Sequence, residues 1–356
     1  MNSLSSKTNI YFRLDYGGYI GRGHLSRCLA LALKFKEHGY NPVMVVRKRP
    51  ENQSDNLQVD TIWLENSQGL AHALTTDTST WKMGTEEDEA LEMHQHIAKD
   101  SIIVLDHYGL GLIWQKKMKS LGHKIILIQD VCSPDFDAEI IINYNMNAKD
   151  IYEKHLLNKE TLFLLGPEYA PLAQEYSKEH KKNINGPISQ VGIYLGGIEI
   201  KNLEKVARAI VKIEFFQNKK IEWVVGNDIE KAILQTILKG YAIVIHVRLA
   251  SLIPLYKKSH LFIGACGVSF LERACLGVRQ INFLVADNQK EIAAGAGEVI
   301  NLPVSTEDAI VQFLRQSLSE KNNDTQNNLI ENFFEKVDGL GCDRLLKKIT
   351  EKLVAV

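Results

Sequence analysis

Residues 18–35, GYIGRGHLSRCLALALKF, set glycines and a histidine at the mouth of a run of good helix formers. Glycine lets a backbone approach a ligand closely, and the first turn of a helix offers N–H groups that no intrahelical carbonyl takes up. Gly21 and Gly23 therefore suit contact with an anion or a polar sugar. The positive end of the helix dipole disfavours imidazolium, so His24 is expected as a neutral ring that accepts a proton near pH 7 and acts as a general base. The same stretch also fits a plain β–α turn with an exposed histidine, because G-x-G without a third glycine is a weak signature.

Other residues carry chemistry less directly. Tyr108 follows the end of an apolar strand and can orient a sugar or a water; it equally fits an amphipathic rim position. Asn288 and Gln289 follow the last strand of the second half, where they can bind sugar or phosphate or simply form a turn. His107 reads as a structural residue at a strand end. His94 and His96, two apart on a helix, face different ways and read as surface. The acidic run TEEDE, Thr85–Glu89, reads as a solvated helix start.

The elements that must hold these residues alternate. Strands are expected at Asn9–Asp15 and Asn41–Lys48 with a helix from His24 to Glu37 between them, its core face marked by Leu25, Leu29, Ala32 and Leu33. Further strands fall at Ser101–Asp106, Lys124–Asp130, Glu139–Asn145 and Thr161–Gly166. A polar segment, Glu175–Pro187, reads as a linker. A second series follows at Gln190–Gly197, Lys220–Gly226, Ala242–Val247, His260–Ala265 and Gln280–Ala286, with helices between, and Ser319–Asn328 reads as an exposed loop. Repeated β-α-β units build parallel sheets, so the expected class is α/β, with two Rossmann-like domains facing across a cleft. The boundaries are 1–180 and 188–330, with a helical segment at 331–356 packing back. Ligands of such sheets sit beyond the carboxyl ends of the strands.

The 356 residues carry a formal net charge of −1, with 45% hydrophobic and 24% charged residues. That balance fits a globular chain with a full core and gives no electrostatic reason to expect nucleic acid or an anionic membrane. No apolar run reaches the length of a membrane span, and the N-terminus lacks the pattern of a signal peptide. Five irregularly spaced cysteines with no C-x-x-C support neither structural zinc nor a disulfide framework. A cytoplasmic, monomeric protein with reduced thiols, no metal and no cofactor is expected.

RLDYGGYIGRGHLSRCLALA, residues 13–32, resembles the N-terminal signature of the UDP-sugar hydrolases of pseudaminic acid synthesis, which act on UDP-2,4-diacetamido-2,4,6-trideoxy-β-L-altropyranose. The shared residues are Arg13, Asp15, Ile20, Gly21, Gly23, His24, Arg27 and Cys28. The likeness continues through Asp106-His107-Tyr108, LLGPEYAPL (164–172), GGIEIKNL (196–203), LERACLGV, ADNQ and VDGLGCDR (337–344). The resemblance implies the GT-B architecture, shared with the transferase that forms lipid II. It places sugar and catalytic groups, including Arg13, Asp15 and the essential His24, in the first domain. UDP would sit in the second, on Gly196, Gly197, Gly267, Ser269 and Glu272, with Glu272 accepting the ribose hydroxyls; Glu272 also fits a solvated helix carboxylate. Water activated by His24 would attack the anomeric carbon and UDP would leave. UDP is a fair leaving group, and donors at the start of the helix near Ser269 and at Gly196–Gly197 would stabilise its charge.

This chain departs from the family pattern in the loop GACGVSFLE, residues 264–272, where Ser-x-Gly-Gly-Ser is usual. Gly264 replaces the first serine, and Cys266 adds a side chain where the backbone should meet phosphate. Gln129 stands where an acid is common, and Glu199 replaces an aspartate. Two other readings compete: a GT-B glycosyltransferase, in which an acceptor hydroxyl replaces water, and a sugar-nucleotide-binding relative without activity.

Overall fold

The computed structural model describes residues 9–17, 20–49, 52, 55–65, 78–131, 135–155, 160–181, 187–319 and 330–353. Most of the expected loop at 319–328 and residues 182–186 of the expected linker lie outside them. The chain divides into two compact units, Met1–Gln174 with Gly339–Val356, and Glu175–Asp338. The division falls at Gln174/Glu175 rather than near 180–188, and the chain returns to the first unit at Gly339.

Unit 1 holds a seven-stranded parallel sheet. Its elements are β1 (Asn9–Leu14), α1 (Gly23–Glu37), β2 (Asn41–Arg47), β3 (Asp60–Leu64), α2 (Glu86–His96), β4 (Ile102–Asp106), α3 (Leu112–Ser120), β5 (Lys124–Ile128), β6 (Ile140–Asn143), α4 (Ala148–Tyr152) and β7 (Leu162–Leu165). The strand order is β3-β2-β1-β4-β5-β6-β7. The order reverses between β1 and β4, which pair directly from Ile10 opposite Ile102 to Leu14 opposite Asp106. At such a reversal the loops beyond the carboxyl ends run apart and leave a crevice. β1 and β4 are buried along nearly their whole length, as strands covered on both faces must be.

The buried face of α1 is wider than the expected one. Leu25 and Ala32 are buried as expected and Leu29 and Leu33 are half-buried, while His24, Arg27, Cys28, Leu31, Lys34 and Phe35 also turn inward. Four of those six, His24, Arg27, Cys28 and Lys34, are ionisable and find partners elsewhere in the fold. Lys34 Nζ, for example, lies 3.1 Å from Asp343 Oδ1.

The second unit begins within α5 (Gln174–Lys178). It continues through β8 (Gln190–Tyr194), α6 (Ile200–Val211), β9 (Lys220–Val225), α7 (Asp228–Ile237), β10 (Ile243–Val247), α8 (Ile253–Lys258), β11 (Leu261–Ala265), α9 (Val268–Cys275), β12 (Gln280–Leu284), α10 (Lys290–Gly295), β13 (Val299–Asn301) and α11 (Glu307–Ser317). Its parallel sheet has the order β10-β9-β8-β11-β12-β13, so the reversal falls between β8 and β11. Val191, Ile193, Trp223, Ile263 and Phe283 from the sheet and Val206, Ile210 and Leu314 from the helices form its core.

The last helix, α12 (Gly341–Leu353), docks in unit 1. Leu345, Leu346 and Ile349 are buried, Cys342 Sγ donates to Leu172 O at 3.4 Å, and Arg344 donates to Glu168 O at 3.0 Å. Gly341 makes this possible: a Cβ there would stand 2.0 Å from Ala170 O. Backbone cannot yield as a flexible side chain can. Gly341→Ala is therefore expected to lower stability by about 1–3 kcal/mol through overpacking, read as a lower urea midpoint at unchanged m-value.

Candidate active site

The loop after β1 carries Gly21, with φ of 74°, and α1 then begins at Gly23, so His24 stands in its first turn. β4 ends at Asp106 on the other side of the strand reversal. The two side chains meet: His24 Nδ1 lies 2.6 Å from Asp106 Oδ1, and both are buried. Burial pushes the Asp106 carboxyl up, but Arg27 and His24 outweigh it and hold it well below the usual carboxylate range. The shared proton therefore belongs to His24 Nδ1. In the neutral ring that leaves the lone pair on Nε2, the arrangement of a general base oriented by a carboxylate.

Arg27, one helical turn after His24, fixes the carboxylate. Its Nε donates to Asp106 Oδ2 at 2.6 Å and its Nη2 to Oδ1 at 2.5 Å. Cys28 adds a thiol donor to Oδ2 at 3.3 Å. The same guanidinium also binds Asp130, beyond the end of β5, and Tyr144, whose hydroxyl donates to Asp130 Oδ2 at 3.1 Å. One guanidinium thus bridges two buried carboxylates, Asp106 and Asp130, beside the imidazole.

Tyr108 joins this group. Its ring meets the His24 ring edge-on at 4.6 Å between centroids, and its hydroxyl donates to Asp130 Oδ1 at 2.8 Å. Trp81 lies 5.7 Å from Tyr108 and 6.2 Å from His24. These rings give the imidazole an apolar flank.

Arg13 and Asp15, expected to touch substrate, are instead buried in an ion network. Arg13 pairs with Asp15 at 2.8 Å and with Glu89 at 3.1 Å, while Asp15 also accepts from the Arg47 N–H, Arg49 and His107. Burial raises the Asp15 carboxyl, yet Arg13, His107 and Arg49 hold it well below its ordinary range. With side chains fully covered and charges spent on one another, both residues brace the site rather than meet a ligand. His107 is structural, as expected: Nδ1 accepts the Gly109 N–H at 3.1 Å, so Nε2 donates to Asp15.

Two further expectations change. TEEDE is more than a solvated helix start. Thr85 and Asp88 form a capping box, Glu86 accepts the N–H groups of Gly111 and Trp114 at the start of α3, and Glu89 is buried between Arg13 and Arg47. His94 is half-buried, not surface: its Nδ1 lies 2.8 Å from His123 Nε2. His96 is exposed.

Unit 2 gathers its own residues at its strand reversal. Gly264 of β11 pairs with Tyr194 of β8, so Gly196 and Gly197 lie beside the loop that leads into α9. A Cβ on either glycine would meet nothing within 4 Å. Gly267 precedes α9, and Ser269 stands half-buried in its first turn. Gln289 lies over Gly267, its Nε2 3.5 Å from where a Cβ would be, and its Oε1 accepts the Val285 N–H. Asn288 Oδ1 is buried without a hydrogen-bond partner among the described residues.

Glu272, one turn further along α9, accepts the Tyr256 hydroxyl at 3.0 Å and a second from Tyr176. Burial raises its carboxyl, and the two hydroxyls offset part of that rise. It is not a solvated helix carboxylate.

The departures in this loop prove compatible with an open backbone. Cys266 is fully buried, its thiol pushed up to about 12 by burial, so its side chain turns into the core. Gln129 accepts the Tyr152 hydroxyl at 2.5 Å, and Glu199 pairs with Lys201 at the surface.

Among the described residues no group of three or more His, Cys, Asp or Glu is placed to hold a metal, and no helix is long and apolar enough to cross a membrane.

Solved structures match this fold over nearly the whole chain. Acinetobacter baumannii MurG superposes with a TM-score of 0.61 at 13% identity, covering 97% of this chain and 99% of that one. A Staphylococcus aureus MnaA–UDP co-structure gives 0.65 at 12% identity, covering 98% of each. The fold is GT-B. No family model matches. In sequence, the chain is 24% identical over 195 residues to the UDP-2,4-diacetamido-2,4,6-trideoxy-β-L-altropyranose hydrolase of Campylobacter jejuni, covering 54% of this chain and 62% of that protein. It is 22% identical over 285 residues to an uncharacterized protein of Methanocaldococcus jannaschii, covering 76% and 54%. The matches thus span less than two thirds of either relative.

Proposed function

We propose that this protein hydrolyses a UDP-linked 2,4-diacetamido-2,4,6-trideoxyhexose to UDP and the free sugar, without a metal ion, in pseudaminic acid synthesis. The observation that carries the reading is the buried His24–Asp106 pair at the strand reversal of a GT-B unit. The partial likeness to the Campylobacter jejuni hydrolase supports the choice of substrate.

In this reading His24 Nε2 takes a proton from water as the water oxygen bonds to the anomeric carbon. The bond from that carbon to the UDP oxygen breaks, and its electron pair leaves on the β-phosphate. Asp106 stabilises the imidazolium, and Arg27 keeps Asp106 from taking the proton itself. Tyr108 and Trp81 hold the imidazole and flank the sugar. In unit 2 the start of α9 and Gly196–Gly197 receive the diphosphate, Glu272 accepts the ribose hydroxyls, and the unpartnered Asn288 carbonyl takes a ligand hydroxyl. The proposed enzyme is monomeric and cytoplasmic.

The test is proton NMR of the UDP-sugar with purified protein, EDTA and no acceptor. UDP and free sugar are expected to appear together. A spectrum that stays unchanged until an acceptor alcohol is added would overturn the hydrolase and favour a transferase.

A further inference from the structure

Arg273 of α9 has no accessible surface. Its Nε donates to Gln280 Oε1 at 2.7 Å, its Nη2 to Asn282 Oδ1 at 2.9 Å and Ala265 O at 3.0 Å, and its Nη1 to Ser269 Oγ at 3.3 Å. Each of these acceptors is a neutral oxygen. Among the described residues no carboxylate lies within ion-pair distance of it. Arg13, Arg27 and Arg47, the deeply buried guanidiniums of unit 1, each bind carboxylates. Burial lowers the pKa of Arg273, and the Tyr256 hydroxyl and the neighbouring Glu272 carboxylate offset part of that; with no carboxylate paired to it directly, the buried charge is only partly met.

The loop is shaped around this cation. A Cβ on Gly264 would stand 2.4 Å from Arg273 Nη1, so glycine here leaves the space that the guanidinium fills. Ser269 Oγ, which accepts from Nη1, is half-buried in the first turn of α9, and its contact with Ala265 O is long at 3.4 Å. The hydroxyl therefore keeps a proton to donate, made more acidic by the cation behind it.

We infer that Arg273 is a positioning residue whose buried charge, relayed through the Ser269 hydroxyl, is balanced by the diphosphate of the bound nucleotide. This rests on the reading of unit 2 as the UDP-binding half. The guanidinium does not touch the phosphate. It polarises Ser269 and supplies the positive potential that the first turn of α9 carries outward.

The experiment is calorimetric titration of the full chain with UDP, uridine and inorganic pyrophosphate, alongside thermal melts. For Arg273→Gln the dissociation constants for UDP and pyrophosphate are expected to rise about tenfold or more, while uridine binds as before. Arg273→Lys, which keeps the charge, recovers part of the loss. The ligand-free melting temperature of Arg273→Gln falls, because Gln280 Oε1, Asn282 Oδ1 and Ala265 O lose a donor, so the titrations are read on protein that is folded at the working temperature. Should that variant fail to fold, Ser269→Ala gives the same selective loss with Arg273 in place. Unchanged UDP affinity, or equal weakening for UDP and uridine, overturns the assignment. Wild-type protein that does not bind UDP overturns the nucleotide reading and this one with it; wild-type UDP binding that Arg273→Gln leaves unchanged overturns this one alone.

Discussion

His24→Gln is expected to slow UDP release from the UDP-sugar about 10²–10⁴-fold, the range of a lost general base, with little change in UDP affinity. Glutamine keeps a polar group of similar reach but cannot accept the proton that attacking water gives up. Among the described residues the ring meets Tyr108 and Trp81 at its edge and, through Nδ1, Asp106 with the Arg27 guanidinium 3.1 Å away. Asp106 retains Arg27 and Cys28 in the variant, so the fold is expected to survive. Steady-state turnover and UDP titration on the same preparation separate the two effects.

Asp106→Asn is expected to be as severe in activity, about 10⁴-fold as in other hydrolases whose base loses its carboxylate, and to cost stability as well. Four donors converge on this carboxylate: His24 Nδ1, Arg27 Nε, Arg27 Nη2 and the Cys28 thiol. An amide offers one acceptor atom and one donor atom. Turned with its NH₂ toward His24, it forces the ring into the tautomer with the proton on Nε2, and the base is gone. Turned the other way, it sets NH₂ against Arg27. Breaking a buried pair costs about 3–5 kcal/mol when a charge is left alone; Arg27 keeps Asp130, so the lower end is expected. The pH dependence has a definite sign. Because the folded Asp106 carboxyl is held below its unfolded range, its stabilisation is present above that range and is lost as pH falls through the folded value. The asparagine variant is expected to lose less stability than wild type on acidification over that interval, in urea melts from neutral pH downward.

The β-α alternation was legible because buried parallel strands read as continuous apolar runs such as IIVLD and KIILI. β3 and β13 escaped because DTIWL has one fully buried residue and β13 only three residues. His24 was legible from its place after the glycine turn. Asp106, Asp130 and Tyr144 were not, because their link to His24 and Arg27 spans 79 or more positions and arises only when β4 and β5 line up beside β1. The face of α1 was read only in part, through Leu25 and Ala32, for the same reason. Apolar periodicity cannot register a buried stripe that includes His24, Arg27 and Lys34, whose partners are distant carboxylates. A strand-terminal aspartate after an unbroken apolar run was the available signal. Arg273 left none, since its burial depends on the missing Cβ of Gly264 nine positions earlier.

The central claim is that water attacks the anomeric carbon while UDP leaves. Turnover of the UDP-sugar in H₂¹⁸O with EDTA, followed by mass spectrometry of both products, tests it most directly. The account predicts ¹⁸O at C1 of the free sugar and none in the phosphates of UDP, with both products forming about 10²–10⁴-fold more slowly in the His24→Gln protein. Label in the UDP phosphate, or full turnover without His24, would contradict it.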